Sequence, residues 1–483
     1  MRNFLFINRL ALAACLIFAL GSCEEDFTAS KKNSGEAPAI EGQFFNGEQS
    51  YILIAKNNLP NGLAEKVASL GGELVSTTPQ AGIAVVQASD ASFAANASSI
   101  DGVQAVVPNV KIQFIAPSEN VVVSEDEYSN PPASGDDDFF FDLQWGHDAV
   151  DAVEAWNAGY FGEGARVAVL DGGFDLDHPD LAPNINLGLS ADFTGEGLEY
   201  GFPDTFSHGT HVAGTIGAAD NGFGVIGVAP QVELVLVKVL GDAGSGSFAD
   251  VIAGIIHAAD VDADIMNMSL GAYFDKNGNI IGEDGEKITM PAAETAALKN
   301  AIQKAVTYAY QQGTTVISSA GNDAINGQAD KSGISVPSDL AHVINISATA
   351  PVGWAVDPAS ADFGRLASYS NFGNKVDFAA PGGDAAYPGN EGCVVAGLAR
   401  PCWVFDLVFS TGNGGWYWSA GTSMASPHAA GVAALIVGAN GGEMSPAQVE
   451  AELKKTAVDI YKPGRDAESG HGLVNAYNAV VSQ

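Results

Sequence analysis

Basic residues are scarce in this 483-residue chain: 21 Lys and Arg stand against 57 Asp and Glu, a formal charge of −36. Nucleic acid is excluded as a partner, because its phosphates need a basic face. The charge implies a soluble, self-repelling surface and says little about fold. Cysteine is scarce too, with four in all. No second Cys/His pair lies at ligand spacing, which argues against a zinc site. The apolar run at residues 10–20 is too short to cross a bilayer. No internal repeat is present. Gly, Ala and apolar side chains are abundant, and at 47% apolar content the chain reads as globular α/β with length for two or three domains.

Arg2 and Arg9 flank the start of that apolar run, the layout of a signal peptide. It ends in Leu20-Gly21-Ser22-Cys23, which resembles a lipobox. The expectation is a signal over 1–22, a lipidated Cys23 as first mature residue, and a polar tether over 23–49. A secretory peptide with a chance cysteine is the alternative. Lipid would anchor the chain at the outer membrane or cell surface, each buried methylene adding about 0.8 kcal/mol. Cys15 leaves with the signal. Cys393 and Cys402 lie close together in a Gly/Pro-rich loop of an exported chain, so a disulfide is expected.

Residues 50–116 read β-α-β-β-α-β, the ferredoxin-like order, with VQAVVPNVKIQFI as one last strand. Residues 117–142 contain Pro131-Pro132 and Asp136, Asp137 and Asp138, and no Lys or Arg occurs between Lys111 and Arg166. This is read as a solvated, cleavable linker. Over 143–483, helices alternate with apolar strands, as in a parallel α/β sheet. No further C-terminal domain is expected within these residues.

Four residues in that last region carry chemistry. Ser423 precedes a small apolar run that reads as a buried helix, where it is either an N-cap or a nucleophile beside first-turn N–H groups. Asp171 closes the strand RVAVL, at the carboxyl end where open α/β sheets build their sites, or caps a turn. His208 opens SHGTHVAGTIG as a base, a capping residue or a core histidine; His211 reads as structural. Asn322 ends SSAGN as an amide donor or a left-handed turn residue. Each is weak alone; the order Asp, His, amide donor, Ser is not.

The segments VAVLDGGFDLDHPDL, HGTHVAGTIG, GVAP, SSAGN, AAPG, GTSMASPHAAGVAAL and HGLVNAYNAV resemble the subtilisin-like serine proteases, whose triad runs Asp, His, Ser. They cover residues 145–483. The resemblance implies a three-layer α/β fold with a central parallel sheet, and residues 50–116 resemble the family's inhibitory propeptide. It assigns Ser423 as nucleophile, His208 as general base and acid, Asp171 as its orienting partner, and Asn322 as oxyanion donor. Substrate would pair as an added strand along Gly244, Ser245 and Gly246 and along Ser269, Leu270 and Gly271. Leu270, Ser319, Ala320 and Gly321 would wall a roomy, largely apolar pocket with Asp323 and Ser335 at its rim. No cofactor serves the chemistry. A structural calcium ion would take Asp180, Asn221 and the carbonyls of Ala219, Phe223 and Val225.

The implied partners are protein and peptide substrates, the chain's own propeptide as inhibitor, and a membrane through lipid alone. Self-cleavage between residues 115 and 142 would release the enzyme from its anchor. A catalytically silent surface lipoprotein is the rival. Gly172 stands where the family usually has Ser or Thr, loosening the hold on Asp171. Insertions at 273–291 and 384–417 flank the expected cleft. DKNGNIIGEDGE has its glycine at the wrong position for an EF-hand. Cys23→Ser should abolish incorporation of labelled fatty acid into the precursor; labelling that survives the change would show that Cys23 is not lipidated.

Overall fold

Uninterrupted apolar runs such as VAVL and LVLV suit strands covered on both faces, and they form the centre of the sheet. The computed structural model describes residues 44–45, 48–115, 120–123, 136–275, 277–282, 284–329, 333–386 and 391–482. The expected signal, Cys23 and much of the expected tether and linker lie outside the described residues. Across the main sheet the strands run Asp362–Leu366, Val343–Val352, Thr315–Ser319, Ile265–Met268, Arg166–Asp171, Glu233–Lys238 and Ala191–Asp192. Phe378–Pro381 also pairs with Val343–Val352. The core pairs are parallel. Asp362–Leu366 runs antiparallel, so the expected parallel sheet is mixed at one edge, where the short return from Val352 admits a hairpin-like connection.

Helices cover both faces. On one side lies Thr422–Ala439, buried over nearly its whole length. A Cβ at Gly431 would come within 2.6 Å of Val228 Cβ, so only glycine permits that approach. Helices Phe248–Asp260 and Ala292–Gln312 cover the other face. The helix expected over 149–157 is two short ones, Trp145–Ala149 and Ala152–Asn157, broken where Asp151 adopts a positive φ of 53°. Among the described residues no helix is long and apolar enough to cross a membrane.

The N-terminal unit has sheet order Gly72–Thr78, Ile83–Ala88, Glu48–Ala55, Val103–Pro108, all antiparallel, with helices Leu63–Ser69 and Phe93–Ala97. This is the ferredoxin-like arrangement. The last expected strand is two strands. Val103–Pro108 stays in this sheet, while Lys111–Gln113 leaves it to pair with Ser245–Ser247; Pro108 has no N–H to continue a ladder. One face of the unit buries Ile52, Ile54, Ile83 and Val107 in the same cluster as Ile252, Ile302 and Ala305 of the two long helices.

The solvated linker expected over 117–142 is not solvated at its end. Asp138, Phe140 and Leu143 are buried, because three consecutive phenylalanines at 139–141 carry more apolar surface than the neighbouring acids can keep in water. Asn120–Val123 is a strand.

Burial drives the imidazoles of His147 and His211 down to about 3 and that of His428 to about 4. A folded-state value below the ordinary 6.5 means stability that is present above pH 6.5 and lost as pH falls toward 3–4. Burial pushes Asp250 and Asp406 up to about 6 and 7, which acts in the opposite sense. The net slope is therefore a difference, and one variant isolates a single histidine. In a Ser423→Ala background, His211→Gln should lose ~2–3 kcal/mol less than its parent between pH 6.5 and 4.5 by urea unfolding. Parallel curves would exclude the effect.

Candidate active site

Asp171 ends the central strand Arg166–Asp171 with its side chain fully buried. His208 is the first residue of helix His208–Gly217, whose N-cap is Ser207, so the capping alternative for His208 is excluded. His208 Nδ1 lies 2.9 and 3.0 Å from the two carboxylate oxygens of Asp171. The Gly172 N–H donates to Asp171 Oδ1 at 2.7 Å. This backbone bond does not depend on the side chain at 172, where glycine has no hydroxyl to add a second. His211, by contrast, lies buried with Nε2 3.0 Å from the Tyr417 carbonyl, a tie between helix and hairpin.

Ser423 is not an N-cap. Gly421 holds that position, and Ser423 is the second residue of the helix. Its hydroxyl donates to the Ser269 carbonyl at 3.2 Å. Asn322 Oδ1 accepts from both the N–H (2.9 Å) and the hydroxyl (2.8 Å) of Thr422. That fixes which end of the amide faces outward: Nδ2 is turned toward Gly421. A Cβ built on Gly421 would lie 3.4 Å from Asn322 Nδ2 and 3.5 Å from the Ser423 nitrogen. Two donors therefore flank one point beside the serine, the geometry that receives an oxyanion.

Pro427 lies inside the helix and cannot donate to the carbonyl four residues back, that of Ser423. Ser269 Oγ donates to that freed carbonyl at 2.7 Å, and Asn267 Nδ2 donates to Ser269 Oγ at 3.0 Å. Thr422, Asn267 and the Ser269 side chain were missed from sequence. Only the proline inside GTSMASPH could have pointed to a freed carbonyl needing a donor.

Both expected pairing segments hold the chain's own residues 111–115. Ser245, Gly246 and Ser247 pair antiparallel with Gln113, Ile112 and Lys111. Phe114 and Ile115 N–H donate to the Gly244 carbonyl, each at 3.2 Å, and Gly271 N–H donates to the Phe114 carbonyl at 3.2 Å. Phe114 packs edge-on against Phe248, ring centroids 5.2 Å apart. Beside this strand a cavity of about 620 Å³ is lined by Leu270, Gly271, Ser319, Ala320, Gly321 and Asn322, with Asp323, Ser335 and Ser423.

The family model described as "Subtilase family" matches residues 162–472. The chain belongs to the subtilase family. It is 34% identical over 338 residues to Subtilisin NAT of Bacillus subtilis subsp. natto, covering 70% of this chain and 71% of that one. It is 29% identical over 331 residues to the Minor extracellular protease Epr of Bacillus subtilis (strain 168), covering 68% of this chain and only 41% of Epr. A solved structure, the Epidermin Leader Peptide Processing Serine Protease (EpiP) from Staphylococcus aureus, superposes with a TM-score of 0.69 at 21% identity, over 90% of this chain and 99% of that one.

The two insertions of this subtilase have definite forms. The first contains a hairpin, Asn279–Ile281 against Lys287–Thr289. The Asp275 carboxylate accepts from Asn279 Nδ2 (2.6 Å) and from the backbone N–H groups of Asn279 and Asn277 (3.0 and 2.7 Å), bonds that hold it down at about 2. Asp275, Ile281 and Lys287 add to the cavity wall. In the second insertion Cys393 and Cys402 form a disulfide.

The loop expected to hold calcium has oxygen chemistry suited to a hard cation. Asp180 is fully buried; its Oδ2 accepts from Val225 N–H (2.9 Å) and Trp416 Nε1–H (2.8 Å). Its Oδ1 has no hydrogen-bond donor among the described residues. Asn221 Oδ1 accepts from Phe223 N–H at 3.0 Å. A buried carboxylate oxygen with no donor fits a cation.

Gly421 has an extended backbone (φ 161°) that any residue can adopt. Gly421→Ala should therefore leave the thermal midpoint unchanged while slowing fluorophosphonate labelling of Ser423 about 10²–10³-fold, a magnitude taken from a subtilisin oxyanion donor. Unchanged labelling would mean the two donors do not act at that point.

Proposed function

We propose that this chain is an exported serine endopeptidase, made as a lipid-anchored precursor that cuts itself free. The observation that carries the proposal is that the Asp171–His208 pair lines one pocket and Ser423 with Asn322 lines the next, both walled by Gln113 and Ile115 of the extended strand that fills the cleft.

Asp171 accepts from His208 Nδ1–H, which leaves Nε2 as the basic nitrogen. The Ser423 hydroxyl turns from the Ser269 carbonyl to that nitrogen, gives up its proton and attacks the scissile carbonyl carbon. The resulting oxyanion is held by Asn322 Nδ2–H and Ser423 N–H. As the C–N bond breaks, the proton passes from Nε2 to the leaving amine. Water repeats the sequence on the acyl-enzyme and releases the carboxylate product. Buried Asp171 stabilises the imidazolium at each passage.

Residues 50–116 act as propeptide and inhibitor. Their packing on the two long helices gives a slow-folding parallel sheet a template, and residues 111–115 lie in the cleft as a substrate does. The strand at Asn120–Val123 lies past the cleft, so the cut is assigned between residues 115 and 120. Cys23 is on the propeptide side, and cleavage separates the protease from its anchor. A calcium ion would be held by Asp180, Asn221 and the carbonyls of Ala219, Phe223 and Val225, and its chemistry there is structural, neutralising a buried carboxylate.

Ser423→Ala should accumulate as an uncut, membrane-bound chain that does not react with fluorophosphonate. The wild-type chain should yield a soluble fragment whose N-terminal sequence begins within residues 116–120. Wild-type protein that hydrolyses peptides while remaining full length and tethered would overturn self-release. Labelling that persists in Ser423→Ala would overturn the catalytic assignment.

A further inference from the structure

Residues 192–197 wind into a tight loop about one carboxylate. Asp192 Oδ1 accepts from the N–H (2.8 Å) and the hydroxyl (2.6 Å) of Thr194, and its Oδ2 accepts from the Gly197 N–H at 2.9 Å. Gly195 and Gly197 take φ values of 78° and 92°, a backbone that glycine adopts at little cost. The loop presents Glu196, whose Oε2 accepts from the Asp242 N–H at 3.3 Å and lies 3.6 Å from Lys238 Nζ. Lys238 has a fully buried side chain and also pairs with Asp242 at 2.7 Å. A further carboxylate, Asp250, stands in the first turn of helix Phe248–Asp260 and accepts from the Ser247 hydroxyl at 2.7 Å.

A cation from the strand in the cleft is seated on these acids. Lys111 pairs in register with Ser247, and its Nζ lies 3.9 Å from Glu196 Oε1. Asp250 lies within electrostatic reach of Lys111 and of Asp192. The backbone around Lys111 is held from two sides, because Ile112 pairs with Gly246 and also bridges to Gly282 of the first insertion. That enclosure fixes the alternation of side chains: Ile112 and Phe114 are buried, and Lys111 turns to the acids. Asp192, Glu196, Asp242 and Asp250 outnumber the one buried cation, Lys238, so the place attracts a second positive charge. Lys111 supplies it.

We infer that Glu196 and Asp250 form a cation site that selects substrates with Lys or Arg where Lys111 lies, three residues before the side chain that takes the place of Phe114. This rests on the peptidase reading above and extends it to substrate choice. In the precursor, Lys111 fills the site in cis. The general negative charge of the chain attracts any cationic peptide at long range and is screened by salt. Glu196 and Asp250 act differently, because their positions are fixed against one register position of an added strand. The Lys111 side chain keeps 30% exposure, so the selection is graded, not absolute.

Peptides with the sequence of residues 109–123, carrying Lys, Gln or Glu at position 111, test it on the full chain after its own maturation. Their kcat/KM values should fall in the order Lys, Gln, Glu, with Lys about three- to fivefold above Gln, the scale of a partly exposed ion pair. Glu196→Gln should bring the Lys-to-Gln ratio toward one, and Glu196→Lys should turn the order so that the Glu peptide leads the Lys peptide. Because Glu196 also faces buried Lys238, a salt series on the unaltered enzyme gives a second readout: the same ratio should shrink as NaCl rises from about 0.02 to 0.5 M. Equal rates for the three peptides, with hydrolysis intact, overturn the cation site alone. A Lys preference that persists unchanged in Glu196→Gln overturns the assignment to Glu196. Absence of hydrolysis throughout, together with no fluorophosphonate labelling, overturns the peptidase reading and this inference with it.

Discussion

The bond from Ser269 Oγ to the Ser423 carbonyl ties together the two halves of the site. Proline at 427 removes the helical partner of that carbonyl, and the end of the strand Ile265–Met268 supplies a replacement. A buried carbonyl without a donor would cost about 1–3 kcal/mol. The exchange therefore holds the start of the Ser423 helix against the carboxyl end of the sheet. Around that junction the neighbouring parallel strands deliver Asp171 from one side and Ser319 to Asn322 from the other. The parallel sheet matters to function because it brings several strand ends to one rim.

The same rim explains how the chain treats its own N-terminal unit. Two Gly/Ser-rich edges, Ser245–Ser247 and the stretch around Gly271, leave backbone groups open to a foreign strand. An exposed edge invites pairing. Here residues 111–115 cover both, and Asn120–Val123 cover the edge of Gly415–Ser419. The large apolar contact between the N-terminal sheet and the two long helices keeps both segments at high effective concentration. Beside the backbone and apolar contacts, Lys111 pairs with Glu196 and Gln113 Nε2 donates to the Ala243 carbonyl.

Much of this was legible in residues. Alternation of apolar runs with small-residue helices indicated the α/β sheet, and the ferredoxin-like order was readable because its turns fall at Gly and Pro. Asp171, His208, Asn322 and Ser423 stood out because each lies in a short run of small residues at the end of an apolar strand or the start of a buried helix. Less was legible where one residue type serves two uses. Phe139, Phe140 and Phe141, embedded in acids, read as linker, yet burial of their surface outweighs the neighbouring charge. The run VQAVVPNVKIQFI read as one strand, yet its two halves join different sheets, since periodicity is blind to which partner a strand finds.

The sequence by itself determined the family, because Asp, His, Asn and Ser lie in short motifs whose order along the chain is open to inspection. It also determined the local elements, since helix and strand periods are short-range properties. Tertiary structure alone decided which end of the Asn322 amide faces the serine, because that depends on Thr422, 100 residues away in sequence. It alone decided that the Gly172 backbone holds Asp171 and that Ser269 satisfies the carbonyl freed by Pro427. It alone decided that residues 111–113 and 120–123 pair with different strands, Ser245–Ser247 and Gly415–Ser419. Such contacts join residues far apart in the chain, and no periodicity or local propensity encodes them.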